Sequence, residues 1–256
     1  MLKLARVPSK SKTTALTTIS SHFCYYGFEA FNHILEEIYF AVKAFVCQTK
    51  FFQEETKTIS FRVPMKVDGI MEVIRTERLV LRDFEEADWE AVHSYGSDLE
   101  VVRYMDWGPN TEEETKKFIQ RAIAHQKEQP RRIYTLAIVL KPENKLIGGC
   151  GIYVSNPDNR EGWVGYCLNR NFWGQGYATE TAKALLKFGF DQLNLHRIFA
   201  TCDPANIASA RVLEKTGMQR EAHFREHKWA KGKWRDSLLY AILDYEWKQS
   251  TSTNIK

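Results

Sequence analysis

The stretch at positions 171–180 of the sequence is Asn171-Phe172-Trp173-Gly174-Gln175-Gly176-Tyr177-Ala178-Thr179-Glu180. It follows a strand-like apolar run over 163–168 and precedes a helix-like run over 182–193. Gly174 and Gly176 therefore stand where a strand ends and a helix begins, and glycine permits the positive φ of a tight turn. The first amides of a helix have no intrahelical partner and carry the positive end of its dipole. The stretch therefore predicts an anion site, usually for phosphate.

Two common phosphate-binding motifs do not fit this glycine loop. The dinucleotide fingerprint requires a third glycine at position 179, which is Thr. The P-loop requires Gly-Lys followed by Ser or Thr, which is absent. The pattern that remains is Q/R-x-x-G-x-G/A, in which Asn171 stands where Gln or Arg is usual. The alternative is a tight strand–helix turn that binds nothing.

The string from Gly165-Tyr166 through Asn169 to Glu180 resembles the GNAT superfamily of N-acetyltransferases, and within it the subgroup of ribosomal-protein-alanine acetyltransferases. The resemblance covers about 71–248 and implies a GNAT domain over 71–250. It also implies that acetyl-coenzyme A binds as co-substrate, with its pyrophosphate on the glycine loop and its pantetheine arm along the preceding strand. The residues expected to bind it are Tyr166, Cys167, Leu168, Trp173, Gly174, Gln175, Gly176, Tyr177, Ala178, Thr179 and Asn206.

The hydrophobic pattern after position 71 predicts the order strand, two helices, three strands, helix, strand, helix, two strands. The predicted strands are 78–82, 132–140, 146–154, 163–168, 196–202, 218–229 and 234–243. Four helices are predicted. The first ends at Tyr95, and the second runs from a capping box at Thr111 to about 127. The third and fourth cover 182–193 and 207–216. This is the GNAT order, an α/β (α+β) fold with a mixed central sheet of about seven strands flanked by about four helices.

Composition limits the class of protein. With 44% apolar residues among 256, the chain can build a full core, and no run approaches 18 apolar residues, so no membrane span is expected. The net charge of +4, from 36 basic and 32 acidic residues, is too balanced to indicate nucleic-acid or membrane binding. Five cysteines without a C-x-x-C pair suggest reduced thiols and a cytoplasmic protein. Periodicity leaves no unpaired apolar face from which to predict an oligomer.

Residues 1–70 differ in composition from the rest and form an N-terminal extension. The first acidic residue is Glu29, and the preceding residues combine Lys and Arg with Ser and Thr. The pattern over 28–46 predicts a short amphipathic helix. Three interpretations remain open, namely a disordered targeting leader, a docking helix, or dispensable sequence upstream of a start at Met71.

Acetyl transfer to an amine requires an aligned neutral amine, a donor for the oxyanion, and protonation or stabilisation of the leaving thiolate. The resemblance implies that a backbone amide near Cys167 or Leu168 serves the oxyanion. The string 206–218 matches the subgroup pattern N-x-x-S … E-K-x-G-F/M, but Leu213 stands where many members have a tyrosine acid. Ser209 is then the expected donor to sulfur, and Asn206 holds pantetheine or substrate. The alternative is simple helix capping by Asn206.

Glu161 is the candidate general base, because it lies two residues before the position at which relatives often carry a glutamate, on the same strand face. The alternative is a solvated loop carboxylate. Glu180, in the first turn of a helix, is interpreted as structural. His223 and His227 share one face of a predicted strand, without metal-ligand company on that face, so no metal is expected.

The acceptor is expected to be a primary amine, either a protein N-terminus or a small amine such as a polyamine or aminoglycoside. The walls of its groove are predicted to be the loop over 96–110 and the basic, aromatic hairpin over 229–235. A second hypothesis is a non-catalytic sensor or interaction module that binds an acyl-coenzyme A. A third is nucleic-acid or ribosome binding through the hairpin, against which the modest net charge argues.

Overall fold

A computed structural model describes residues 73–253, with side chains from 73 to 249. The predicted extension and its helix over 28–46 lie outside the described residues. The chain divides into two compact units. One includes the described residues up to His227 and from Arg235 onward, and of the other the structure describes Lys228–Trp234.

The described residues form eight strands and five α-helices. The strands are β1 (Ile74–Arg75), β2 (Leu79–Asp83), β3 (Ile133–Leu140), β4 (Lys145–Asn156), β5 (Glu161–Leu168), β6 (Arg197–Cys202), β7 (Gln219–Ala230) and β8 (Lys233–Leu243). The helices are α1 (Trp89–Gly96), α2 (Glu112–His125), α3 (Tyr177–Asp191), α4 (Ile207–Lys215) and α5 (Asp244–Thr253). Short 3₁₀ turns cover Glu86–Asp88 and Arg170–Phe172.

All eight strands belong to one sheet in the order β1-β2-β3-β4-β5-β6-β8-β7. Each of the strands β1 to β5 pairs antiparallel with the next one along the chain, and β6 pairs antiparallel with β8. The pair β5–β6 between them is parallel. The β5–β6 ladder joins Glu161–Trp163 to Arg197–Phe199 and no later residue of either strand. Beyond Trp163 the two strands therefore diverge, and the β6-facing edge of β5 is free of a β6 partner.

The sheet is covered on both faces, which explains the continuous apolar run of β3. Side chains of a strand alternate between faces. Accordingly, Leu136 and Ile138 belong to one core cluster, together with Leu185 of α3 and Leu213 of α4. Ala137 and Val139 belong to the other cluster, with Val92 of α1 and Ile119 of α2. The helices α1 and α2 thus lie opposite α3 and α4.

The predicted fold class is confirmed, with two elements added. β1 has only two residues, too few for a recognisable alternation, and α5 has a polar sequence without an amphipathic stripe. Trp247 of α5 nevertheless packs on Phe190, with ring centroids 6.1 Å apart. The capping box at Thr111 is confirmed. α3 begins at Tyr177, five residues earlier than predicted, because its first turn is polar and carries no periodicity.

We expect Gly148→Ala to lower the free energy of unfolding by about 3 kcal/mol, the upper end of overpacking costs. A Cβ at Gly148 would lie 2.3 Å from the backbone oxygen of Cys167, which cannot rotate away. Urea denaturation followed by circular dichroism measures the change. The control is Gly232→Ala, where nothing lies within 4 Å of the Cβ and only the φ of +76° costs about 1 kcal/mol. Equal losses for both variants would contradict the steric explanation.

Candidate active site

The glycine loop forms an open anion-binding cradle at the start of α3. Gly174 and Gly176 have φ values of 74° and 85°, in the left-handed region that a side chain disfavours. Gly176 is the N-cap of α3 and has no side chain to accept from the first-turn amides. Residues 173–176 are exposed, and nothing lies within 4 Å of a Cβ placed on Gly174. The loop therefore fits a phosphate group, which can approach these amides closely.

The loop is held against the turn between β1 and β2 by Glu180, which the sequence analysis interpreted as structural. Its Oε1 accepts hydrogen bonds from Thr76 Oγ1 at 2.6 Å and from the Arg78 amide at 2.9 Å. Its Oε2 lies 2.7 Å from both Arg78 Nε and Arg78 Nη2. Burial alone would raise the pKa of Glu180, but these hydrogen bonds and the Arg78 charge outweigh it and lower the pKa. The carboxylate is therefore ionised and occupied by structural partners.

Arg78 is a site residue that sequence reasoning missed. Its Nη1 donates to the Gln175 carbonyl oxygen at 3.0 Å, and its guanidinium lies 4.4 Å from the centroid of the Tyr177 ring. A Cβ on Gly176 would lie 3.4 Å from its Nη2. The side chain is 41% exposed, so the guanidinium adds an accessible positive charge beside the open amides of α3. No local pattern could have revealed it, because Arg78 is 97 residues from Gln175 in sequence.

Tyr166, Ser209 and Asn206 meet across the gap that opens between β5 and β6. Asn206 is the N-cap of α4, and its side-chain oxygen accepts from the Ser209 amide at 3.1 Å. This cap fixes Ser209 in the first turn. The Tyr166 hydroxyl reaches from β5 to within 3.1 Å of Ser209 Oγ and 3.4 Å of the Ser209 carbonyl oxygen. All three side chains are only partly buried.

Leu213 lies one helical turn after Ser209, and Cys202 lies near Tyr166. Leu213, where many GNAT members have a tyrosine, is 1% exposed and belongs to the core. Burial raises the pKa of the Tyr166 phenol above its usual value, and the hydrogen bond with Ser209 offsets this only in part. Burial also raises the pKa of the Cys202 thiol to about 11 and of the Cys167 thiol to about 12. Both thiols are therefore protonated at neutral pH and poor nucleophiles.

Glu161 lies at the closed end of the gap, away from Ser209. It is the first residue of β5, and its Oε2 accepts from Arg197 Nε at 3.2 Å. Arg197 also donates to both carboxylate oxygens of Glu221, at 2.8 and 2.5 Å. Five residues separate Glu161 from Tyr166 along β5, a distance of about 16 Å at the rise of a strand. The structure therefore does not bring Glu161 together with Ser209 and Asn206.

The loop between α1 and α2 is hydrogen-bonded to β8. The sequence predicts that this loop and the hairpin over 229–235 form the walls of an acceptor groove. Arg235 Nη1 donates to the Arg103 carbonyl oxygen at 3.2 Å. Asp98 of this loop pairs with Arg170 at 2.9 Å, and Glu100 lies 3.8 Å from Arg103. These carboxylates are thus at least partly neutralised by neighbouring arginines.

The structure also shows the surroundings of His223 and of the hairpin tryptophans, which the sequence analysis considered as candidate site residues. His223 Nε2 lies 2.7 Å from Asp236 Oδ2, so this histidine has a carboxylate partner. In the hairpin, the Trp229 and Trp234 rings meet edge-to-face at 5.4 Å, on either side of the turn at Gly232. Within residues 73–253 no group of three or more His, Cys, Asp or Glu side chains is arranged to hold a metal ion. None of the helices described in that range is long and apolar enough to cross a membrane.

Known proteins resemble this chain in sequence and fold. A family model described as "Acetyltransferase (GNAT) domain" matches residues 78–219. The N-acetyltransferase YnaD of Bacillus subtilis (strain 168), described as uncharacterized, is 40% identical over 174 residues, which are 68% of this chain and 98% of YnaD. A crystal structure of a GNAT-family acetyltransferase from Bacillus anthracis is 38% identical and superimposes with a TM-score of 0.61, covering 68% of this chain and 99% of that one.

A more distant structure shows the same fold with a ligand. It is RimL, described as a ribosomal L7/L12 alpha-N-protein acetyltransferase in complex with coenzyme A. Its identity is 24% and its TM-score 0.61, with 68% of this chain and 99% of that one covered. The chain described here belongs to the GNAT acetyltransferase family. It is an N-acetyltransferase, and so an acyltransferase, as the resemblance of the glycine loop predicted.

We expect Arg78→Ala to weaken binding of coenzyme A, used as probe ligand, by about tenfold, equivalent to about 1.4 kcal/mol. The variant loses a positive charge beside the α3 amides and the bond that holds Gln175. Calorimetric titration measures the affinity. Arg82→Ala is the matched control, because Arg82 is an arginine of the neighbouring strand β2 that pairs with Asp88 at 2.7 Å, away from the loop. An equal loss of affinity in both variants would show that β2 matters only for folding.

Proposed function

We propose that this enzyme transfers an acetyl group from acetyl-coenzyme A to the α-amine of a protein N-terminus. The observation that carries the proposal is the gap between β5 and β6, which is bordered by the glycine loop and by the Tyr166–Ser209–Asn206 group. An extended pantetheine arm can pair with the free edge of β5, as an added strand would. The loop amides and Arg78 would then hold the pyrophosphate, and the thioester would lie near Ser209.

The ion pairs of the loop between α1 and α2 support an α-amine over a polycation as the acceptor. A site for a polyamine needs several unpaired carboxylates, but Asp98 is paired with Arg170 and Glu100 lies beside Arg103. RimL, by its description, acetylates the α-amine of a ribosomal protein, and this supports a similar acceptor here. An α-amine has a pKa near ~8, so a useful fraction is neutral at physiological pH. The reaction therefore needs no strong base.

In the proposed reaction the neutral amine nitrogen attacks the thioester carbon. The carbonyl oxygen becomes an oxyanion, for which we assign a backbone amide of Cys167 or Leu168. The C–S bond then breaks, the sulfur leaves as a thiolate near Ser209, and the nitrogen loses its proton. Asn206 fixes the turn that carries Ser209, so the two act as a unit. We assign Glu161 a structural role, because its carboxylate is paired with Arg197.

The test of this function combines binding with turnover in the full chain. Acetyl-coenzyme A is titrated calorimetrically, and free thiol release is followed with a peptide bearing a free N-terminus, the same peptide blocked at its N-terminus, and spermidine. We expect binding, and turnover with the free peptide only, with the added mass at its α-amine. Faster turnover with spermidine would establish a small-amine acceptor instead. Binding without turnover would favour the non-catalytic sensor.

The binding arm includes a variant with both Gly174 and Gly176 changed to Val. A β-branched residue at positive φ is strained, and its bulk prevents close approach to the amides. We therefore expect loss of acetyl-coenzyme A binding by more than tenfold. Gly232→Val makes the same change at an exposed positive-φ glycine in the hairpin and should retain binding. Retained binding in the double variant would place the ligand elsewhere.

We further expect Cys167→Ser to retain at least a third of the wild-type kcat. Burial raises the pKa of this thiol to about 12, so it holds its proton and does not act as an acetyl-accepting nucleophile. Steady-state kinetics measure the rate, and intact-protein mass after incubation with acetyl-coenzyme A should show no added acetyl group in the wild type. Loss of more than a hundredfold, together with an acetylated wild-type cysteine, would indicate a covalent intermediate instead.

A further inference from the structure

Acetyl transfer in this gap requires a proton donor for the leaving sulfur, and the usual position for one is occupied by Leu213. That side chain is 1% exposed and carries no donor. The phenol of Tyr166, from the opposite side of the gap, reaches the first turn of the same helix and lies 3.1 Å from Ser209 Oγ. A tyrosine hydroxyl is thus present where α4 lacks one, but it is supplied by β5.

We propose that Tyr166 is the general acid that protonates the leaving thiolate of coenzyme A. The inference rests on the proposed function and extends it. Either hydroxyl can donate in the Tyr166–Ser209 hydrogen bond; in the proposed step Ser209 Oγ–H donates to the phenol oxygen, the phenol proton goes to sulfur, and the bond stabilises the phenolate that forms. The C–N bond forms, the C–S bond breaks and the sulfur takes the Tyr166 proton. The proton lost by the acceptor nitrogen then returns to the phenolate, so the enzyme is regenerated without another reagent.

Burial in the gap affects both the donor phenol and the leaving sulfur. A phenol has a pKa near ~10 and a free thiol near ~8.5, which alone would disfavour transfer to sulfur. Burial raises the pKa of the nearby Cys202 thiol to about 11 and raises the pKa of the Tyr166 phenol as well, so the phenol remains the weaker acid and the transfer is completed by the return of the amine proton to the phenolate. A thiolate released into this gap therefore binds a proton more strongly than in water. The phenol itself stays protonated across the working pH range and so is always able to donate.

The experiment compares Tyr166→Phe with Tyr240→Phe, a matched control. Tyr240 also has its hydroxyl on an α4 residue, 3.0 Å from Glu214 Oε1, but it belongs to the core rather than the gap. With acetyl-coenzyme A we expect Tyr166→Phe to lower kcat about a hundredfold, the low end for general acids. With the acetyl thioester of thionitrobenzoate, whose leaving thiolate needs no proton, the loss should be under about threefold. Tyr240→Phe should leave both rates near wild type.

A second measurement does not depend on turnover. The thiol pKa of bound coenzyme A is obtained from the ultraviolet absorbance of its thiolate as pH is varied. Loss of a donor to sulfur disfavours the thiolate, so Tyr166→Phe should raise this pKa by about one unit, and Tyr240→Phe should not. If Tyr166→Phe fails to fold, fluorotyrosine at position 166 retains the ring and increases phenol acidity. It should then lower the bound-thiol pKa.

The outcomes separate this inference from the proposed function. Failure of the wild type to consume acetyl-coenzyme A with any amine overturns the proposed function and this role together. A fully active Tyr166→Phe with an unchanged bound-thiol pKa overturns only the role of Tyr166. A loss in Ser209→Ala that exceeds the loss in Tyr166→Phe, again with an unchanged bound-thiol pKa in Tyr166→Phe, would make Ser209 the donor.

Discussion

The separation of β5 from β6 after Trp163 is the constraint on which the site depends. Three residue pairs join the strands, and beyond them the two backbones are not held to each other. The diverging edge of β5 exposes backbone groups that would otherwise be costly to leave unpaired in a sheet interior. The same divergence makes room for α4 to present Ser209 to Tyr166. The pairing at the closed end is reinforced by the arginine that links Glu161 to Glu221.

Short-range features of the fold and site could be predicted from sequence. Turn, cap and strand signals each involve only a few neighbouring residues, so the glycine loop, the Thr111 cap and most strand positions could be inferred. The α3 start was placed too late because polar helical turns have no period. β1 was missed for the related reason that two residues cannot show alternation.

Contacts between residues distant in sequence could not be predicted, because a single sequence carries no information on which of its residues are in contact. Glu180 and Arg78 are 102 residues apart, and Tyr166 and Ser209 are 43 apart. Glu161 illustrates the consequence. Its face on β5 could be inferred from alternation, but its position relative to the opening of the strands depends on the β5–β6 register. The carboxylate therefore looked available in sequence, whereas in the structure it faces Arg197.

Burial around the gap determines which of its phenol and thiol groups keep their protons. Desolvation disfavours every charged form, so it raises the pKa values of Tyr166 and of the neighbouring Cys202, and likewise that of Cys167, which packs on the opposite face of the sheet. The two protein thiols keep their protons and cannot compete with the amine for the acetyl group. The sulfur of a departing thiolate experiences the same penalty, which strengthens its demand for a donor. A gap that suppresses side reactions through burial thus creates the need for a nearby hydroxyl, and the Tyr166–Ser209 pair can supply it.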